Sequence, residues 1–338
     1  MSNLILGIES SCDETAAAVV RGGREVLSSI IASQIAEHAP FGGVVPEIAG
    51  RSHVRAILPT IERALEEAKV DLSEIDAIAV TTRPGLIGSL LVGLSAAKGL
   101  AYSRGLPLVA VDHIEAHAYA AVMEANDDAY PNLTLVASGG HTALYEVRSP
   151  IDLTRVAETR DDSAGEAFDK VAHLLGLPYP GGPSISRLAQ SGDPKKIAFP
   201  RYRAKHGGTD FSFSGLKTAV LYYLRGQDAL AKTPAPDAIP NRADVAASFQ
   251  AAAVDALVAP SLEYATRRGL GTIAVVGGVA SNLRLRESMQ LRAAEVGIRC
   301  LFPSPIYCTD NAAMIAGLGW HLVRAGRAAD LALDASAR

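Results

Sequence analysis

A duplicated α/β fold with a central cleft is what this sequence predicts, and three observations predict it. The chain has 338 residues, more than the roughly 100–200 that one core usually organises. Its composition, 49% hydrophobic and 20% charged, is that of a globular protein with a large interior. One order of elements, a hairpin followed by helix, strand, helix, strand and helix, can be read twice along it.

In the first copy LILGIESS and AAAVVR form a hairpin around the polar CDET. A helix near SHVRAILPTIERALEEAK, the strand AIAVTT, a small-residue helix over 85–103, the strand LVAVD and a helix with two histidines follow. In the second copy TLVASGGH and TALYEVR form the hairpin, with TRVAETR as a possible third strand. After a helix-rich insertion come the helix ADVAASFQAAAVDALVAPSLEYATRR, the strand TIAVVGG, a helix from Ser281, the strand RCLFP and a last helix after Asp310. The expected domains are residues 1–128 with 310–338, and residues 129–309 with a helical insertion at about 160–240. Their boundary falls at MEANDDAYPN, where acidic and turn residues collect. Residues 226–243 read as a Pro- and Ala-rich surface loop, and the tail AGRAADLALDASAR as a frayed end with little to bury.

A net charge of -4 argues against a generally basic nucleic-acid-binding surface and leaves room only for a local basic patch. The start, MSNLILGIESSCDET, has no positive n-region and does not read as a secretory signal. GLIGSLLVGLSAAKGLAYS, broken by glycines, serines and Lys98, reads as a buried helix and not a membrane span. Cys12, Cys300 and Cys308 are too few and too scattered for a disulfide framework or a thiolate zinc site, and a cytoplasmic location fits best.

In DHIEAHAYA, His113 and His117 lie four apart, about 40° around a helix, so they can share one metal; two ordinary helix histidines are the alternative. A zincin protease places glutamate directly after its first histidine. Here that position is Ile114, and Glu115 falls near the opposite side of the helix, suited to packing or to outer support of the site. A third ligand is available in CTDNAAMIAGLGW, where Asp310 reads from this stretch alone first as a helix cap. The turns ESSCDET, ASGGHT and GGVASN bring hydroxyls and backbone N–H groups to the expected cleft and suit phosphate or nucleotide groups. Asp169, in GEAFDKVAHLLG, can bond hydroxyls of a ligand or stand exposed on its helix. The stretch PKKIAFPRYRAKHGGTDFSFSGLK sets Lys195, Lys196, Arg201, Arg203, Lys205 and Lys217 among Phe199, Tyr202, Phe211 and Phe213. It reads as a phosphate-backbone and base-stacking surface for RNA, with a solvated loop as the alternative.

Nine ordered motifs, ILGIESSCDET, GGVVPEIAGRSHV, PGLIGSLLVGLSAAKGLA, HIEAH, LVASGGHTAL, GEAFDKVAHLLGLPYPGGP, FSFSGLKT, GGVASN and CTDNAAMIA, resemble the universal tRNA N6-adenosine threonylcarbamoyltransferases in their bacterial form. The resemblance runs from about residue 4 to residue 320. It implies the duplicated ribonuclease-H-like fold of the actin, sugar-kinase and acetate-kinase type. It also implies an acyltransferase that moves the threonylcarbamoyl group of L-threonylcarbamoyladenylate to N6 of adenosine 37 in tRNAs reading ANN codons, with release of AMP. It matches His113, His117 and Asp310 to the ligands of one divalent metal, Fe(2+) by the resemblance, although the donors also suit zinc or manganese. It matches Val136, Ala137, Ser138, Gly139, Gly140, Asp169, Gly182, Ser186 and Asn282 to substrate contacts. The partners it implies are tRNA, a paralogue of similar fold and a small ATPase. Asp13 and Glu14, in the first hairpin turn, are the candidates for catalytic base or amine-orienting group. Two departures stand out: Arg83 where the family usually has glycine before PGL, which would force a rearrangement if positive φ were needed, and GGVASN for the commoner GGVSAN. The rival readings are an ATP-dependent small-molecule kinase of the same fold, a non-catalytic scaffold in a tRNA-modifying assembly, and a metalloprotease, an early label of this family.

Overall fold

The computed structural model describes residues 3–125, 129–204, 208–226, 235 and 239–337. In chain order the elements are β1 (Leu4–Glu9), β2 (Glu14–Arg21), β3 (Glu25–Ser33), α1 (Ile35–His38), α2 (Pro46–Ala68), β4 (Ala77–Arg83), α3 (Ile87–Arg104), β5 (Leu108–Asp112) and α4 (His113–Met123). There follow β6 (Asn132–Ala137), β7 (Thr142–Ser149), β8 (Asp152–Glu158), α5 (Ala164–Leu174), α6 (Gly181–Ala189), α7 (Ser214–Arg225), α8 (Arg242–Arg268), β9 (Thr272–Val276), α9 (Leu283–Glu295) and β10 (Arg299–Leu301). The chain ends with α10 (Pro305–Cys308) and α11 (Ala312–Arg324). Two compact units result: Met1–Asp128 with Arg148–Leu153 and Pro303–Arg338, and Ala129–Val147 with Thr154–Phe302.

The repeat read from the sequence is present in the sheets. One has the order β3-β2-β1-β4-β5 and the other, written from the same end, β8-β7-β6-β9-β10. In each, the leading strand pairs antiparallel with the next strand (β1 with β2, β6 with β7) and parallel with the strand that returns after the helices (β1 with β4, β6 with β9). β3 was not foreseen. Its EVLSSIIAS is only partly buried, so it carries neither a continuous apolar run nor a clean alternation.

Parity along β1 decides what covers each face of the first sheet. Leu4, Leu6 and Ile8 join Val19, Ile78 and Val80 in a core closed by Ile57 and Ile61 of α2 and Leu94 and Ala97 of α3. On the opposite face a Cβ at Gly7 would sit 2.3 Å from the carbonyl oxygen of Ala312. Helix α11 therefore lies backbone against backbone on β1, an approach that only glycine allows. With both faces covered, every residue of β1 is buried, as parallel-type strands require.

The expectation of a frayed tail is corrected. Ala329 bridges Leu108, the Ser336 amide donates to the Thr82 carbonyl at 2.9 Å, and Leu333 and Ala335 pack against the first core. Alternate small apolar residues let a short polar segment cover a sheet edge. Most of the expected loop at 226–243 lies outside the described residues. The one helix among the described residues long and apolar enough to cross a membrane is α8, and 83% of its most apolar window is buried inside the fold.

Candidate metal centre and substrate-contact residues

Helix α4 starts with the residue that the chemistry needs. Asp112 closes β5 and caps α4, its Oδ1 accepting from the amides of Ile114 and Glu115 at 2.9 and 3.2 Å. His113 is thereby the first helical residue and His117 sits one turn on; their rings meet edge to face with centroids 4.6 Å apart. The other oxygen of Asp112 accepts from Arg83 Nε at 3.1 Å. Arg83 is not among the residues with positive φ, so no rearrangement follows from its replacing the family glycine.

Asp310 does not cap α11. Asn311 does, its Oδ1 accepting from the Met314 amide at 3.0 Å while its Nδ2 donates to the Thr309 carbonyl at 2.8 Å. The cap reading of Asp310 is thus off by one residue, and its carboxylate is left to face the histidines. Asp310 Oδ1 lies 3.0 Å from His117 Nε2 and 3.4 Å from His113 Nε2.

Behind the histidines stands a residue that the sequence reading missed. Glu9, the last residue of β1, is fully buried. Its Oε2 lies 3.0 Å from His113 Nδ1 and accepts from Thr81 Oγ1 at 2.5 Å, and its Oε1 accepts from the Ser11 amide at 2.5 Å. Ser11 Oγ is 3.3 Å from the same histidine nitrogen. A lone glutamate ending the apolar run LILGIE was the available signal.

The electrostatics of this cluster call for positive charge. Burial favours the neutral form of His113, but the carboxylates of Asp310 and Glu9 outweigh it and hold its pKa well above the ordinary value. Burial likewise opposes the charge on Asp310, yet His113 and His117 hold its pKa well below the usual carboxylate range. His117, depressed first by burial, is the neutral member of the pair. Its Nδ1 is buried with no partner. Two imidazoles, a shared carboxylate and an unsatisfied ring nitrogen, with the three ligand atoms within 4.8 Å of one another, fit one divalent metal. Glu115 is not hydrogen-bonded to this cluster, and burial with Asp112 close by raises its pKa.

Asp13 and Glu14 occupy the β1–β2 turn. Burial, Asp13 and Asp310 push Glu14 up to about 9, against a hydrogen bond from Ser33 at 3.0 Å. The turn is tied down by buried His53 of α2, whose Nε2 donates to the Cys12 carbonyl at 2.9 Å while Nδ1 accepts from Thr15 Oγ1 at 2.7 Å. Burial pushes the Cys12 thiol up, which leaves it inert.

The other expected contact residues belong to the second unit. Val136 and Ala137 are buried in β6 and lead into the exposed Gly139 and Gly140. Among the described residues the amides of these two glycines have no acceptor. A Cβ at Gly165 would lie 2.6 Å from the Ser138 carbonyl, so the start of α5 packs directly on this turn. Ser186 and Asn282 are brought together by a residue the sequence reading missed. Asn282 Nδ2 donates to Ser186 Oγ at 3.0 Å and to Gln250 Oε1 at 2.9 Å, and Ser186 Oγ donates to Gln250 Oε1 at 2.8 Å. Gln250 lies midway along α8, where the apolar pattern hides it. Asp169 is not simply an exposed helix carboxylate, since its Oδ1 accepts from the Gly181 amide at 2.7 Å. Gly182 follows in the first turn of α6.

The basic stretch divides. Phe199, Phe211 and Phe213 are 5%, 1% and 0% exposed, so three of the four expected stacking rings serve the core, and Tyr202 alone of them is half-buried. Arg201 is held by Asp255 at 2.7 Å and Lys217 by Asp162 at 2.5 Å. Lys195, Lys196 and Arg203 are exposed; Lys205 lies outside the described residues.

Comparison with known proteins is consistent with this arrangement. The family described as tRNA N6-adenosine threonylcarbamoyltransferase matches residues 25–317. The enzyme of that name from Geobacter metallireducens is 52% identical over 332 residues, 98% of this chain and 95% of the relative. That of Syntrophus aciditrophicus is 50% identical over 335 residues, 99% and 97% of the two chains. Among solved structures, the (R)-2-hydroxyglutaryl-CoA dehydratase component A of Acidaminococcus fermentans superposes with a TM-score of 0.55 at 12% identity, covering 96% of this chain and 100% of that one. At that identity the likeness shows the fold alone.

Three expectations follow. Asn311→Ala should lower stability by about 0.5–2 kcal/mol in thermal melts. Asp310→Ala, which leaves that cap in place, should lose divalent-metal uptake instead; metal retained in equilibrium dialysis would remove Asp310 from the site. Glu14 binds its proton up to about 9 when folded but only to near 4.5 when unfolded. The folded chain therefore holds more protons between those values, and stability falls as pH rises across them. Glu14→Gln should melt progressively higher than the parent between about pH 5 and 9; a constant difference would show that the carboxyl is already ionised.

Proposed function

We propose that this chain, which belongs to the tRNA N6-adenosine threonylcarbamoyltransferase family, transfers threonylcarbamoyl from L-threonylcarbamoyladenylate to N6 of adenosine 37 in tRNAs reading ANN codons and releases AMP. The observation that carries the reading is the His113, His117 and Asp310 cluster, standing in a chain half identical over nearly its full length to enzymes of that name.

The N6 lone pair is delocalised into the purine, so the amine is a weak nucleophile and must be oriented. It bonds to the carbamoyl carbon as the carbon–oxygen bond to AMP breaks, and its proton passes to a base, for which Asp13 is the candidate. Negative charge grows on the carbamoyl oxygen and on the departing phosphate. His113, His117 and Asp310 would hold a divalent cation, taken as iron, which supplies positive charge for substrate oxygens. Glu14, protonated at neutral pH, serves as a hydrogen-bond donor to developing negative charge, and Asp13 beside it takes the amine-orienting role. The amides of Gly139 and Gly140 offer two further donors to the adenylate. Asp169, Gly182, Ser186 and Asn282 frame it, the last two oriented through Gln250.

The reading extends to partners. A paralogue of similar fold and a small ATPase would complete the system in the cytoplasm. An exposed apolar ridge, Val54 and Leu58 of α2 with Ile87 and Leu91 of α3 at 65%, 56%, 47% and 43% exposure, supports docking of a protein there. Lys195, Lys196 and Arg203 are the candidates for tRNA phosphate contact, while Arg201 is already neutralised by Asp255.

With the adenylate and partner proteins supplied, AMP release should depend on tRNA carrying adenosine at position 37. AMP formed equally fast with guanosine there would overturn the transfer reaction. Charge reversal of Lys196 and Arg203 should weaken tRNA binding and reduce the slope of log affinity against log salt by about one per lost contact. An unchanged slope would return the stretch to a solvated loop.

A further inference from the structure

We propose that Glu9 is a positioning residue of the metal centre: it fixes the ring of His113 with Nδ1 protonated, so that the lone pair of Nε2 is presented beside Asp310. The proposal rests on the metal reading of His113, His117 and Asp310, and names a residue that the ligand set does not include.

A carboxylate only accepts hydrogen bonds, so the 3.0 Å contact between Glu9 Oε2 and His113 Nδ1 places the proton on Nδ1. Nε2, on the far side of the ring, then faces Asp310 Oδ1 at 3.4 Å. A histidine that binds metal through one nitrogen commonly donates the other N–H to a carboxylate, which sets its orientation and raises its basicity. His117 has no such support, for its Nδ1 is buried without a partner. Glu9 therefore carries the orientation of His113.

The carboxylate is itself immobilised. Thr81 Oγ1 and the Ser11 amide each donate to it at 2.5 Å, one to each oxygen, and the side chain is fully buried at the end of β1. With both oxygens already accepting, Glu9 cannot turn away from His113 without leaving a buried donor unpaired. An amide at this position can satisfy only part of the arrangement. If its oxygen faces His113, its NH2 opposes the Ser11 amide. If it flips, its NH2 opposes His113 Nδ1–H and drives the proton to Nε2.

The test uses the full chain with Co(II) and Zn(II) as probes, comparing the parent with Glu9→Gln and Glu9→Asp. Glu9→Asp keeps the charge but withdraws the carboxylate from the ring, and it serves should the glutamine variant fold poorly. Affinity for Co(II), read by visible absorption, should fall 10–100-fold in both variants. The low-field His113 Nδ1–H proton, seen by 15N-edited NMR in the metal-free and Zn(II)-loaded chain, should be lost. Loss of that proton with weakened binding supports the role. Affinity within twofold of the parent, or an unmoved Nδ1–H signal, overturns it. Were the parent to bind no metal, while His117→Ala behaved identically, the metal reading would fall, and the Nδ1–H signal in the metal-free chain would still decide what Glu9 does.

Discussion

The first unit depends on how closely α11 lies against β1. Gly7 admits the Ala312 carbonyl where any Cβ would collide. A helix held this near its strand brings the residues just before its first turn to the carboxyl end of the sheet, where β1 delivers Glu9 and β5 delivers Asp112 and His113. Asp310 reaches the histidines because Asn311 takes over the capping duty. Were the capping residue one position earlier, the same carboxylate would be spent on backbone amides.

Charge then explains why the cluster is arranged as it is. Two carboxylates, the buried Glu9 and the half-buried Asp310, flank two imidazoles. The two carboxylates raise the pKa of His113 against its burial. An ion pair of this kind is a poor source of stability, since removing the charges from water costs about what their attraction returns. Its value lies in the demand for a cation that it creates, which a divalent metal meets more fully than a single proton. The raised Glu14 carboxyl belongs to the same field, because Asp310 is among the charges that oppose its ionisation.

Most of the fold was legible because its strands are buried on both faces and its helices are long. What escaped was governed by contacts that a local window does not contain. β3 is half exposed and its apolar residues do not alternate. The tail is ordered by single contacts to Leu108 and Thr82, far away in sequence. The candidate metal cluster was legible through the helical spacing of the histidines and the resemblance, but the residues that support it were not. Glu9 lies 104 positions from His113, and Gln250 reads as one more residue of an alanine-rich helix. Phe199, Phe211 and Phe213 failed in the other direction: aromatics among basic residues look like a stacking surface until burial shows them to be core.

Duplication gave both units one sheet order, yet the turns after their leading strands have opposite chemistry. The β1–β2 turn carries Asp13, with Glu14 opening β2, and stands next to Glu9, so it is acidic in composition. The equivalent β6–β7 turn is Ser138, Gly139, Gly140 and His141, with no carboxylate and two exposed amides, an arrangement that favours an anionic or neutral polar group. Elsewhere in the second unit Ser186, Gln250 and Asn282 bond to one another through hydroxyl and amide groups, and the Asp169 carboxylate accepts from the Gly181 amide. One sheet order used twice thus carries an acidic turn after its leading strand in the first unit and an uncharged one in the second.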